Sequence, residues 1–452
     1  MFDTFTLLGK TRKAISPNMK KLHFFAVTNP AMPGMFGPIR SKSERQMKAL
    51  QFNITVPKFI AAKGLHALLG NRVFYRGPFR SVRLVDIPEP SLLSDDWVKL
   101  KTLYCGFCGS DLNLMLLHDS PTASPFTSFP SVPGHEIVAE IIELGSNVSG
   151  YAMGDHVVIN PALSCEVRGI DPVCPSCRNG RSANCENYAE GSLAPGMFIG
   201  ISSGLNGGFA PKLIAHKSQL FKVPEGVTLE AAVMMEPLAV ALQTVFDNLP
   251  GEDDTVLIIG GGVIGGLIIQ SIKALQPGCQ IAVMEPSAFA AELALELGAD
   301  RIIPVREVFS ETSKMTSSTV YKPMLGMEIL MGGFDKVYDT VGASSTLNLS
   351  LRLLTAMGTL SVVGIGNEVK LDLTPLWLKL QTIKGVYAYG MVPYRGETRH
   401  VYNIAFELIR EKKVKPETLL THKFSLDDYI RLIEVNLDKG RHRAAKTVFR
   451  FI

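Results

Sequence analysis

Three short stretches carry side chains that could do metal chemistry. "YCGFCGSDLN" presents Cys108, "VPGHEIVAE" presents His135 and Glu136, and "MMEPLAVAL" presents Glu236. A thiolate, an imidazole and a carboxylate suit Zn²⁺, and three protein ligands beside one open position are the pattern of a catalytic zinc. One thiolate and one carboxylate would also cancel the charge of the ion. A metal-bound histidine needs an acceptor on its other ring nitrogen, and Asp111, just after Cys108, is the candidate. Cys105 makes C-x2-C with Cys108, but a cysteine inside a strand reads more naturally as core. His156 and His216 have no ligand partners in sequence and read as ordinary histidines.

A second chemistry is written in "IIGGGVIGG". Gly260, Gly262 and Gly265 form G-x-G-x-x-G between a strand and a helix whose first residues are Val263 and Ile264. Glycine is needed there for a tight turn, for close approach of a pyrophosphate and for packing of helix on strand. Glu285 ends the next strand, about twenty residues on, where a carboxylate accepts hydrogen bonds from ribose hydroxyls and repels a 2′-phosphate. The pattern predicts NAD in preference to NADP. Cys279, before that strand, reads as a small buried residue.

A third feature is "GIDPVCPSCRNGRSANCENY", with Cys174, Cys177 and Cys185 spaced C-x2-C-x7-C. A closed structural zinc takes four ligands, so a fourth donor must come from nearby.

The elements that must position these residues fall into two patterns. From Met47, strand-like runs such as "WVKLKTLYC", "EIVAEIIELG" and "DHVVIN" alternate with Gly, Pro and Asn turns, which predicts a β-rich domain over 47–235. From Glu236, helical patterns alternate with buried-strand runs such as "TVLIIGGG", "QIAVMEP" and "TLSVVGIG". That alternation predicts a doubly wound parallel sheet over 236–385, an α/β fold. Residues 386–452, ending in "AAKTVFRF", read as a return to the first domain. Residues 1–46 form a basic, proline-bearing extension.

One insertion, over 58–79, belongs to neither pattern. "KFIAAKGLHALLGNRVFYRGPF" puts Phe59, Ile60, Leu65, Leu68 and Leu69 near one helical face, with Lys58, Lys63 and Arg72 elsewhere. A helix lying on a membrane surface would read this way. Packing against the protein's own domain or a subunit neighbour is the commoner fate of such a face and is the expectation here.

Composition bounds the rest. The 452 residues carry 46 basic against 42 acidic side chains, a net charge of +4, which is too small for a nucleic-acid binder. No apolar run reaches the length of a membrane-spanning helix. Seven cysteines, four of them between Cys165 and Cys185, suit metal ligation in a reducing compartment and predict a cytoplasmic protein.

Taken together, C-G-S-D at 108–111, G-H-E at 134–136, E-P-L at 236–238, G-G-G-V-I-G at 260–265 and the cysteine loop resemble the zinc-dependent medium-chain dehydrogenases, from Met47 onward. The resemblance implies a GroES-like catalytic domain joined to a Rossmann domain. It implies hydride transfer between NAD(H) and a small-molecule secondary alcohol, polyol, sugar or hydroxy amino acid, with dimers or tetramers usual. Cys108, His135 and Glu236 would hold a catalytic zinc, with Glu136 close enough to replace water as a ligand. Ser110 would hydrogen-bond the substrate oxygen, and Asn113 stands where many relatives carry a proton-relay histidine. A structural-zinc lobe at about 165–188 would use C-x2-C-x2-C-x7-C, whose first place in register is Asp171. That gives Asp171, Cys174, Cys177 and Cys185, with Cys165 as the competing fourth donor. The alternative from another class is a dinucleotide-binding scaffold without catalysis, keeping zinc for structure only.

Overall fold

A computed structural model describes residues 45–364 and 368–452. The expected extension, 1–46, therefore lies outside the described residues apart from its last two positions.

The β-rich half begins with an antiparallel pair, β1 (Gln46–Phe52) and β2 (Val82–Pro88), in register from Gln46↔Pro88 to Phe52↔Val82. Between them lie helices α1 (Val56–Leu69) and α2 (Arg72–Tyr75), parted at Gly70, whose φ of 60° suits glycine. The long strand β3 (Trp97–Phe107) runs into the short helix α3 (Gly109–Met115). Then follow β4 (Glu136–Leu144), β5 (His156–Ile159), β6 (Lys212–His216) and β7 (Leu220–Lys222).

The second half starts with the helix Met235–Asp247 and the strand β8 (Thr255–Ile259), which leads through the glycine turn into the helix Val263–Leu275. Strands β9 (Gln280–Met284) and β10 (Arg301–Ile302) come next. A small ribbon, β11 (Thr319–Tyr321) with β12 (Ile329–Met331), precedes β13 (Phe334–Asp339), β14 (Leu354–Val362) and β15 (Thr382–Gly385). The six strands β10-β9-β8-β13-β14-β15 form one sheet, parallel throughout, the doubly wound arrangement that alternating strands and helices dictate.

After a hairpin, β16 (Met391–Tyr394) and β17 (Glu397–His400), the chain goes back to the first sheet through β18 (Leu420–Phe424) and β19 (Lys446–Arg450). That sheet has the order β18-β19-β3-β4-β5-β7, with β6 paired to β3. β19 is its keystone. It pairs antiparallel with β3 at Thr447↔Phe107 and parallel with β18, setting Lys446 beside the end of β3.

One apolar core joins the two halves. Leu103, Tyr104, Val138 and Val158 of the catalytic sheet pack with Leu238, Leu242, Ile258 and Ile268 of the other half. A second core fills the catalytic half around Leu100, Phe107, Ile137, Phe209 and Phe449. A third, around Leu257, Ile259, Phe334 and Leu360, covers the far face of the parallel sheet. Metal and nucleotide residues therefore stand on strand ends of two sheets locked together by apolar burial.

Candidate active site and metal centres

Cys108 sits where β3 gives way to α3. Its extended backbone (φ −94°, ψ 160°) caps the helix, and its N–H donates to Asp111 Oδ2 at 2.9 Å. The same carboxylate faces the next strand, with Asp111 Oδ1 3.6 Å from His135 Nδ1. That separation is too long for a hydrogen bond, but it is a charge contact between two buried groups. Asp111 thus binds the Cys108 backbone and faces His135, the residue it was expected to orient, through charge alone. Ser110 is half-buried on the first turn of α3.

Glu136 opens β4 opposite Gly106 of β3. A Cβ at residue 106 would collide with the Glu136 carboxylate and lie 2.9 Å from Lys446 Cε, so a side chain there would displace that pair. Lys446, at the start of β19, forms an ion pair with Glu136, and both are almost wholly buried. Burial works against the Lys446 charge, but Glu136 and Cys108 outweigh it and hold the ammonium above its ordinary range. Nothing in the sequence pattern singled out this lysine.

The ligand atoms of Cys108, His135 and Glu136 all lie within 4.8 Å of one another. His135 Nδ1 and Glu136 Oε1 are buried without a hydrogen-bond partner, which buried polar atoms seldom are. Burial opposes the charged form of His135, yet Asp111 and Cys108 push its imidazole well above the usual range. This donor set fits Zn²⁺.

Glu236 stands outside that trio. It lies in the first turn of the helix Met235–Asp247, hydrogen-bonded by Tyr389, whose hydroxyl is 2.9 Å from that of Tyr402, which donates in turn to Ile159 O at 3.1 Å. Burial pushes its carboxyl up to about 7, with Glu136 adding to the rise. The ligand predicted at Glu236 is thus held back by a tyrosine pair, while Glu136 takes the place nearest the thiolate and imidazole. Cys105 is buried in the core outside the group, donating weakly to Gly106 O at 3.6 Å. Asn113 is half-buried on α3, and His118 is exposed, its ring 6.3 Å from that of Phe74.

In the glycine turn, Gly260 has φ of 95° and Gly265 packs against Gly260 O so closely that no Cβ would fit. Gly262 caps the helix Val263–Leu275, with Val263 and Ile264 half-buried in its first turn. Glu285 is locked by two backbone donors: Gly261 N to Oε2 and Ser287 N to Oε1, both at 2.7 Å. A cavity of about 170 Å³ is lined by Gly261, Val263, Glu285, Ser287, Phe289 and Lys439. Lys439, unpredicted from sequence, donates to Ala445 O at 3.0 Å, and burial draws its amine down to about 8. Lys446, Cys108 and Glu136 all act electrostatically on Lys439, so nucleotide cavity and metal trio share one field.

The cysteine lobe corrects one expectation. The four sulfurs within 4.8 Å belong to Cys165, Cys174, Cys177 and Cys185, and Asp171 is exposed outside the group. The cause is a turn directly after Cys165, where Arg168 N bonds to Ser164 O and Ile170 N to Cys165 O. The chain folds back, so Cys165 Sγ accepts from Cys174 N at 3.3 Å and lies 3.6 Å from Cys185 Sγ. Further N–H donors reach the sulfurs from Cys177, Glu186 and Asn187. Burial raises the Cys174 thiol, but the N–H groups of Glu186 and Cys177 prevail and bring it down to about 7. Four thiols, three buried and that of Cys177 half-buried, ringed by donors suit a closed Zn²⁺ site. Arg168, fully buried, donates to the carbonyls of Leu163, Glu190, Leu193, Ala194 and Gly196, putting a cation behind the thiols.

Comparisons with known proteins agree with this architecture. Residues 94–225 match the family model of the alcohol dehydrogenase GroES-like domain, and residues 263–408 that of the zinc-binding dehydrogenases. L-idonate 5-dehydrogenase of Vitis vinifera is 29% identical over 344 residues, covering 74% of this chain and 82% of that protein. (R,R)-butanediol dehydrogenase of Saccharomyces cerevisiae is 27% identical over 362 residues, 76% of this chain and 88% of its own length. The crystal structure of 2R,3R-butanediol dehydrogenase from Bacillus subtilis superposes with a TM-score of 0.66 at 25% identity, covering 82% of this chain and 96% of that one.

Proposed function

This chain belongs to the zinc-dependent medium-chain dehydrogenase/reductase family, and on that premise we propose which of its residues oxidise an alcohol and how. It is an NAD-dependent oxidoreductase acting on CH–OH groups, with a secondary alcohol, polyol, sugar or hydroxy amino acid as the substrate class. The noncatalytic scaffold reading is set aside, because its named relatives are dehydrogenases.

Cys108, His135 and Glu136 would hold the catalytic zinc, with Glu236 in reserve behind Tyr389. The bound ion supplies Lewis-acid chemistry, lowering the pKa of the substrate hydroxyl. Asp111 keeps Cys108 and His135 in place through its two oxygens. Ser110 is the hydrogen-bond partner of the substrate oxygen, at the exposed end of α3. The N-terminus of the helix Val263–Leu275, where free N–H groups and the helix dipole favour anions, would hold the pyrophosphate of NAD. Glu285, oriented by Gly261 and Ser287, would accept the ribose hydroxyls. Bound NAD would supply the hydride acceptor, and the substrate hydroxyl proton would pass to solvent. Asn113 cannot titrate, so it would not carry that proton. Cys165, Cys174, Cys177 and Cys185 would hold the second zinc.

The substrate is a small molecule. Two copies would associate along the edge strand β15, near which Trp377, Leu378, Leu380 and Ile383 are exposed. No described helix is long and apolar enough to cross a membrane. The thiol-rich lobe supports a reducing, cytoplasmic setting.

The observation that carries this reading is the convergence of Cys108, His135 and Glu136, whose ligand atoms all lie within 4.8 Å of one another. Its test is NADH formation with a panel of polyols and secondary alcohols, beside zinc analysis. Cys108→Ser and His135→Ala should abolish turnover and leave the lobe's zinc in place. Turnover surviving in both would sink the assignment.

A further inference from the structure

Helix α1 exposes its apolar side chains and partly buries its charged ones. Val56, Phe59, Ile60, Leu68 and Leu69 are 41–83% exposed, Leu68 the most, whereas Ala62 alone on this helix is fully buried among the described residues. Lys58 and Lys63 are half-buried, and burial lowers both amines. Lys63 sits 5.9 Å over the Phe59 ring and 5.5 Å over that of Phe74. Val56, Ile60, Gly64, Ala67 and Leu68 occupy one side of the cylinder by helical periodicity, and none of them carries a charge. Of the face expected to pack on the protein or on a subunit neighbour, Leu65 packs on the protein itself, whereas Phe59, Ile60, Leu68 and Leu69 are exposed in the single chain. The inner side of α1 meets Val73, Phe74 and Leu116, with Leu112 of α3 close by.

An exposed apolar row needs an occupant, and the surrounding charge says which one. From Gln51 to Val85 there are six lysines and arginines (Lys58, Lys63, Arg72, Arg76, Arg80, Arg83) and no acidic residue. Among the described residues, Arg76 is the one of these six with a carboxylate partner, Glu434 at 2.8 Å. A second copy of this surface would oppose cation to cation. The segment 1–44, with seven lysines and arginines against Asp3 and Glu44, would do the same. We propose that α1 and its basic flank dock the protein on an anionic lipid surface, independently of the dehydrogenase chemistry. The helix is 14 residues long, roughly 21 Å, so it lies in the interface and does not cross it. Ile60 and Leu68 enter the acyl boundary, Leu69 flanking them at the helix end, while Lys63, Arg72, Arg80 and Arg83 meet the headgroups. Because Leu112 of α3 packs beneath, the helix that begins at Cys108 lies one layer from the lipid.

The test is vesicle co-sedimentation of the full chain, with phosphatidylcholine alone and with added phosphatidylserine, for the wild type and Ile60→Ser/Leu68→Ser/Leu69→Ser. The wild type should bind the phosphatidylserine vesicles and bind phosphatidylcholine far less. The triple variant should bind roughly tenfold more weakly or worse, with unchanged zinc content and unchanged turnover of a soluble alcohol. Failure of the wild type to bind overturns the proposal. So does equal binding by the variant, which would put attachment on the basic segment 1–44. A fall in the variant's oligomeric mass without any vesicle binding also overturns it, making the face a contact between copies.

Discussion

Lys446, from the last described strand, forms a buried ion pair with Glu136, which opens β4 and is itself one of the metal trio. A buried charge whose partner is removed is far more costly than the pair is beneficial. Lys446→Met should therefore lower the stability of the zinc-free protein by about 3–5 kcal/mol in urea unfolding, the zinc being removed because Glu136 is itself a proposed ligand. Glu136→Gln together with Lys446→Met should restore most of it. Additive losses in the double variant would contradict the pairing.

Glu285 is pinned by Gly261 and Ser287 with its charge facing the nucleotide cavity. Replacing it by alanine removes the repulsion of a 2′-phosphate, so the ratio of kcat/KM for NAD over NADP should fall roughly tenfold or more. An unchanged ratio would remove Glu285 from cofactor choice.

The thiol cluster and the register of the loop make opposite forecasts for two substitutions. Cys165→Ser should reduce bound zinc from about two per chain to about one, whereas Asp171→Asn should leave it at about two. Metal analysis after gel filtration decides between them. Zinc lost from the Asp171 variant and kept by the Cys165 variant would restore the register-based set.

His400 supplies a pH test away from both metals. Its Nδ1 accepts from Tyr402 N at 3.2 Å, its Nε2 is buried without a partner, and burial lowers its pKa from 6.5 to about 4. The unfolded chain thus takes up the proton first as pH falls. The stabilising contribution is complete above pH 6.5 and is lost between there and about 4, on the order of 3 kcal/mol. His400→Asn keeps a side-chain cap for the helix Val401–Arg410 but cannot titrate, so its stability should change less across that interval. Parallel curves for the two proteins would rule His400 out.

Much of this site was legible because its chemistry is bound to short spacings. Cys108 with Asp111, His135 with Glu136, and the glycines with Glu285 each lie on one strand-to-helix or strand-to-strand step, and the structure places them as those steps require. Strand runs and helical periods likewise named β3, β4, β8 and β9. What could not be read depends on chain reversal or on distant partners. Counting residues put Asp171 in register, but the turn after Cys165 resets the count. Lys446 looked like any lysine beginning a strand, and only the pairing of β19 with β3 carries it to Glu136. Arg168 and Tyr389 act on groups far along the chain, so no local pattern marks them. The apolar row on α1 was visible, but whether it faced inward was a matter of packing.

The pairing of β19 with β3 also has a temporal side. On the ribosome, Glu136 and β3 are made long before Lys446, whereas β18, the other flank of β19, comes just ahead of it. Until β19 inserts, the nascent catalytic sheet holds a carboxylate without its counter-cation and the edge of β3 without its partner.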